Sequence, residues 1–174
     1  MIWASVVNTT TAEKGYRSAV NSATATLTIT AGSIAIGSPV ILETSTASLN
    51  GYNVRRPATS TSLVNNLFQG IVARVPQVNP TYLDREQEGL VQVYGYYPTA
   101  IVQRLTAGSA VGACLIPESL QMLIAVSGPV TADATGTAGN VEVPAIGCLA
   151  VLAAAIGTSS ATETTTAPVW LRCL

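Results

Sequence analysis

Residues 21–30 read NSATATLTIT, with Thr24, Thr26, Thr28 and Thr30 alternating with Ala23, Ala25, Leu27 and Ile29. A strict period of two with β-branched residues predicts a half-buried strand, one face to a core and one to water. Residues 34–42 (IAIGSPVIL) predict more strand, interrupted at Gly37-Ser38-Pro39. Proline has no N–H to give a ladder, so that point is a strand start, a bulge or an edge. One grammar then recurs: Gly70, Gly89 and Gly147 each precede a short apolar run, and Gly108 leads into the run at 111–116. Further strands are predicted over 99–105, 122–127 and 168–173. Short strands broken by Gly, Pro and Asn point to a barrel or sandwich.

Helical periodicity is scarce. Residues 149–156 (LAVLAAAI) contain good helix formers, but β-like flanks favour a strand over a short helix. Residues 45–66 are rich in Ser, Thr and Asn and contain the turn pair Asn50-Gly51, which predicts a long loop. The polar stretches 132–140 and 157–167 also read as loops. Residues 1–20 are mixed and predict an extended arm or an edge strand. The reading is therefore all-β: a compact β-barrel or β-tulip-like module of short strands with long loops, with an N-terminal arm over 1–20 and a single domain over 21–174.

Composition changes the picture at the surface. The chain has 174 residues, 48% of them hydrophobic and only 10% charged. That length allows a sizeable core, but soluble domains usually carry about 25% charged residues. A surface so poor in charge is expected to be covered in part by other polypeptides, because large bare apolar patches aggregate. A net charge of −1 argues against nucleic acid, which needs a concentrated basic surface. No run approaches the ~20 apolar residues that span a bilayer, and no secretion signal is visible at the amino terminus, so synthesis in a cytoplasm is expected. Cys114, Cys148 and Cys173 lie in apolar runs without C-x-x-C spacing and read as buried free thiols.

Candidate chemistry is thin. The chain has no histidine, which removes Ser-His-Asp triads, Cys-His pairs and imidazole metal sites together. Asp84, Glu86 and Glu88 read as a solvated loop rather than a catalytic dyad. No phosphate-binding glycine loop is present. Neither enzyme activity, metal nor cofactor is expected. Tyr94, Tyr96 and Tyr97 cluster around Gly95, and such tyrosines more often pack at subunit contacts than stack on sugars.

Taken in order, several motifs resemble the small capsid decoration, or cement, proteins of tailed bacteriophages. They are Gly37-Ser38-Pro39-Val40, Phe68-Gln69-Gly70-Ile71-Val72, Glu88-Gly89-Leu90-Val91-Gln92-Val93-Tyr94-Gly95, Ala107-Gly108-Ser109-Ala110-Val111 and Val169-Trp170-Leu171-Arg172. The resemblance begins at Gly37 and runs to the carboxyl end; Ala107-Gly108-Ser109 departs from the usual acidic turn, and the first 21 residues have no counterpart. It implies a homotrimer on the capsid exterior of a virion, made in a bacterial host cytoplasm, bridging major capsid protein subunits. Trp3, Tyr16, Arg17, Arg55, Arg56, Tyr96 and Tyr97 are the residues expected to contact partners. The alternative is a glycan- or receptor-binding module of a phage fibre or spike that uses the tyrosines.

Overall fold

Glu88–Arg104 runs as one strand of 17 residues, and the rest of the sheet is organised around it. The computed structural model describes residues 13–22, 33–43, 52–57, 67–75, 81–104, 108–118, 122–125, 149–160 and 163–173. Among these residues there are eleven strands and no helix. They are β1 (Gly15–Asn21), β2 (Ile34–Ala35), β3 (Pro39–Leu42), β4 (Asn53–Arg55), β5 (Phe68–Arg74), β6 (Tyr82–Leu83), β7 (Glu88–Arg104), β8 (Cys114–Glu118), β9 (Met122–Ala125), β10 (Ala150–Leu152) and β11 (Glu163–Arg172). The protein is all-β, as its patterning predicts.

The first half of β7 closes one ring of strands. β1 lies antiparallel to it from Val20 opposite Glu88 to Gly15 opposite Tyr94, and the end of β1 pairs in parallel with β4. β4 pairs with β3, β3 with β5, and β5 returns to β7 with Val72 opposite Val91. The second half of β7 closes another. β11 runs antiparallel to it from Arg172 opposite Tyr94 to Glu163 opposite Arg104, and the chain of pairs continues through β10, β8 and β9. β9 returns in parallel to Val102 and Gln103 of β7. Two five-stranded rings thus share one strand.

Each ring has its own apolar filling. Ala19, Val40, Val54, Val72 and Val91 fill the first, joined by Ile34 and Leu83 from the small β2–β6 pair. Val102, Leu115, Leu123, Leu152, Val169 and Leu171 fill the second. β5 serves both, giving Val72 to one cluster and Phe68 and Ile71 to the other. Each fully buried Leu or Ile contributes roughly 1.5–3 kcal/mol.

Closure has a consequence for edges. Every strand of the nine-stranded sheet has a neighbour on both sides along part of its length, although Gly15–Ala19 of β1 and Glu163–Ala167 of β11 have ladder partners in β7 alone.

Several sequence expectations shift. Strands predicted separately over 88–93 and 99–105 are one strand. Between Tyr97 and Ala100 the β7–β11 register gains a residue on β7, and Pro98, which has no N–H, sits in that bulge. The expected loop over 45–66 contains β4, whose Val54 is fully buried. The polar 157–167 stretch supplies the first half of β11, since threonines suit a strand with one wet face. Residues 15–20, expected in an arm or edge strand, lie in β1, which pairs with β7 over Gly15–Val20 and with β4 at Val20 and Asn21. Residues 150–152 are strand, as favoured. The alternating 23–30 segment lies outside the described residues.

Gly95 holds φ +91°, and a Cβ there would overlap the carbonyl oxygen of Glu13. Gly112 holds φ +82° with open space around it. Gly95→Ala is expected to cost about 2 kcal/mol or more, and Gly112→Ala only the left-handed penalty of about 1 kcal/mol. Urea denaturation of the two variants gives the order directly.

Candidate interaction surface

The rings meet at residues 92–97 of β7, where the strand changes course. Gln92 is 1% exposed, and its Nε2 donates to the carbonyls of Tyr94 and Tyr96, each at 3.1 Å. Carbonyls turned inward without a partner are costly, and this amide satisfies two of them. Gly95 absorbs the kink through its positive φ.

That local geometry sorts the tyrosines. Tyr97 turns inward, 6% exposed, and its hydroxyl donates to the carbonyl of Val72 at 3.2 Å. Burial raises its phenol above the ordinary value, so it stays protonated. Tyr94 is exposed and Tyr96 half-buried. On β11, Trp170 stands opposite Tyr96 and Arg172 opposite Tyr94, while Val169 and Leu171 between them are buried. Tyr94, Tyr96, Trp170 and Arg172 therefore share the outer face of two adjacent strands. Trp170 is 41% exposed and meets Tyr96 edge to face, with ring centroids 5.4 Å apart and planes at 61°. Such a pair contributes about 0.5–1.5 kcal/mol beyond area burial.

The partner contacts expected from sequence divide. Tyr96 belongs to the aromatic face. Tyr97 does not, because its side chain is committed to the core. Tyr16 and Arg17 are half-buried on β1 at the same junction, Tyr16 opposite Gln92 and Arg17 opposite Val91. Arg55, on β4, pairs with the buried Glu43 at 3.4 Å, so its charge is held within the chain. Arg56 follows β4, which does not pair with β7. Trp3 lies outside the described residues. Sequence reasoning named Trp170 and Arg172 within a motif and did not single them out as contacts. The alternation Val169-Trp170-Leu171-Arg172 carried the signal, since it sets the tryptophan on the same face as a charge.

Among the described residues no group of three His, Cys, Asp or Glu could hold a metal ion. Ser18 Oγ donates to the Glu88 carboxylate and lies 3.2 Å from the Tyr52 hydroxyl. The hydrogen bonds from Ser18 and then Tyr52 hold Glu88 below the usual carboxylate range. A carboxylate stabilised in its charged form is a weak base, so the trio clasps β1 to β7 rather than activating the serine. Glu86 pairs with Arg85 at 3.3 Å and Asp84 accepts from Ser33, so the three acidic residues do not converge. Cys173 is a free thiol, pushed up to about 12 by burial, as a buried thiol should be. Cys114 is disulfide-bonded, which corrects the expectation of a free thiol there.

Comparison with protein-family models, with curated proteins and with solved structures finds no match to this chain.

Tyr97→Phe is expected to lower stability by about 1 kcal/mol by removing a buried hydrogen bond to the Val72 carbonyl, which keeps its bond from the Gly37 N–H, whereas Tyr96→Phe stays within about 0.5 kcal/mol of the parent; thermal or urea unfolding distinguishes them. The clasp adds a pH dependence of defined sign. Because the folded Glu88 carboxyl titrates below the unfolded one, its contribution is present above the unfolded value of about 4.3 and is lost as pH falls through the folded value. Ser18→Ala should therefore reduce stability at pH 7 more than at pH 3, measured as urea midpoints.

Proposed function

We propose that this protein is a non-catalytic viral structural module that decorates and stabilises a bacteriophage capsid exterior, acting as a homotrimer that bridges major capsid protein subunits. The observation that carries the reading is the exposed face of Tyr94, Tyr96 and Trp170 on a rigid junction, in a chain with only 10% charged residues. Tyrosine and tryptophan are enriched where one protein packs on another, and Arg172 beside them is the cation most favoured at such contacts. The motif order from Gly37 to the carboxyl end supplies the class of partner.

Closed rings define the mode of contact. Ring closure pairs much of the main sheet's ladder, so docking proceeds through side chains on strand faces rather than by adding a strand. Each contact adds buried area that must be lost before neighbouring shell subunits separate, and repetition over many sites multiplies a modest gain.

The same aromatics bear on the alternative of a glycan- or receptor-binding module. A pyranose stacks on a flat aromatic platform, whereas rings at 61° to each other offer none shared between them. That angle favours protein packing.

The test is sedimentation of the purified protein with undecorated phage heads. Wild type should co-sediment, and Trp170→Ser combined with Tyr96→Ala should weaken binding about tenfold or more while leaving the unfolding temperature within a few degrees. Specific binding on a glycan array, abolished by Tyr96→Ala, together with no head binding would establish the alternative instead. Truncation through Val20 is not a clean probe of the amino-terminal segment, because it removes most of β1 and opens the first ring.

A further inference from the structure

Arg17 lies on β1 in the same pleat as Ala19 and Asn21, which are 0% and 1% exposed, so it is directed toward the interior of the first ring. Its Nε and Nη2 are shielded from solvent and have no hydrogen-bond partner among the described residues. These two atoms form the side-on edge of the guanidinium, whose parallel N–H bonds match the two oxygens of one carboxylate. A shielded cation without a counter-charge is costly, and chains seldom retain one without a use for it.

Five of the nine Asp and Glu side chains are engaged elsewhere. Glu43 faces Arg55, Glu86 faces Arg85, Glu163 faces Arg104, Glu88 accepts from Ser18 and Asp84 from Ser33. Cys173 adjoins Arg17, but a thiol raised to about 12 is neutral near pH 7 and supplies no charge. Arg17 as a whole is half-buried, so part of its side chain reaches the surface beside the seam between the rings while Nε and Nη2 stay covered.

We propose that Arg17 is a carboxylate socket, its Nε–Nη2 edge receiving side-on the carboxylate of an Asp or Glu from the polypeptide on which this module docks. The choice of a polypeptide source rests on the docking function proposed above; the socket itself rests on the unpartnered guanidinium edge.

Sodium acetate serves as the probe, compared with sodium chloride at equal ionic strength. Wild type should gain about 2 °C or more in unfolding temperature in acetate over chloride, and Arg17→Met should not. The Arg17 Nε–H resonance of the wild-type protein should move in acetate and not in chloride, a readout that stands even where the variant fails to fold. An equal response of wild type and Arg17→Met, or an unmoved Nε–H resonance, overturns the socket. In the head-sedimentation assay, Arg17→Met should bind about tenfold or more weakly. Unchanged head binding by Arg17→Met, alongside an Arg17-dependent acetate response, overturns the polypeptide source in favour of a small free carboxylate. Failure of wild type to bind heads overturns the docking function alone and leaves the socket to the acetate result.

Discussion

The architecture depends on β7 remaining a single unbroken strand. Seventeen residues at about 3.3 Å each reach roughly 55 Å, long enough to form a wall of one ring and then of the next. Every other strand of the main sheet reaches the rest of the molecule through that wall, directly or by a short chain of pairings. A strand in two closed rings cannot twist freely in both, so the mismatch collects where they meet. Gly95 with its positive φ, the extra residue at Pro98 and the Gln92 amide bonded to two carbonyls of its own strand are the local solutions to that mismatch. The outer aromatic face follows from strand alternation through the same stretch, which sets Tyr94 and Tyr96 outward and Tyr97 inward.

Local patterning made the class of fold legible, and several strands with it. β5, the start of β7 and β10 follow from a glycine ahead of a short apolar run, because a residue lacking Cβ allows close approach and the run beyond it wants burial. Continuity across Gly95 and Pro98 was not legible. Both residues ordinarily punctuate strands, and only the pairing with β11 carries the ladder past them. β4 was hidden for a related reason: three residues in a polar context form a strand because Val54 fills a gap between β1 and β3, a tertiary fact that no local window contains. The threonines of 163–167 follow the same rule, with β7 as the partner that makes them a strand.

The site was legible to a smaller degree. The tyrosine cluster was visible as a cluster, and its division into a core residue and two surface residues is plain strand alternation through 94–97, but which face turns inward is set by the pairing with β11, which no local window contains. The basic pair Arg55-Arg56 stood out because adjacent charges are rare in this chain. The structure answers one of them with Glu43, an acid buried among apolar residues that needs a cation more than any partner does. Conspicuous charge was therefore a poor guide. Arg17, named from sequence among the contacts but outside any charge pair, has the unpartnered guanidinium edge.

Sparse charge and closed edges also constrain each other. An open sheet with so few ionised residues would expose unpaired ladder beside apolar side chains, the combination most prone to indiscriminate pairing. Closing both rings reduces that hazard within the described strands, and it lets the outer surface stay weakly charged with less unpaired ladder beside it. What remains exposed is then largely a matter of side chains. An aromatic pair beside Arg172 can discriminate among partners by shape and by the position of an opposing acid, whereas a bare strand edge accepts almost any extended chain. A module that must occupy one kind of position on a repeating surface gains from the first kind of contact and is endangered by the second, and shared closure through β7 is the arrangement that separates them.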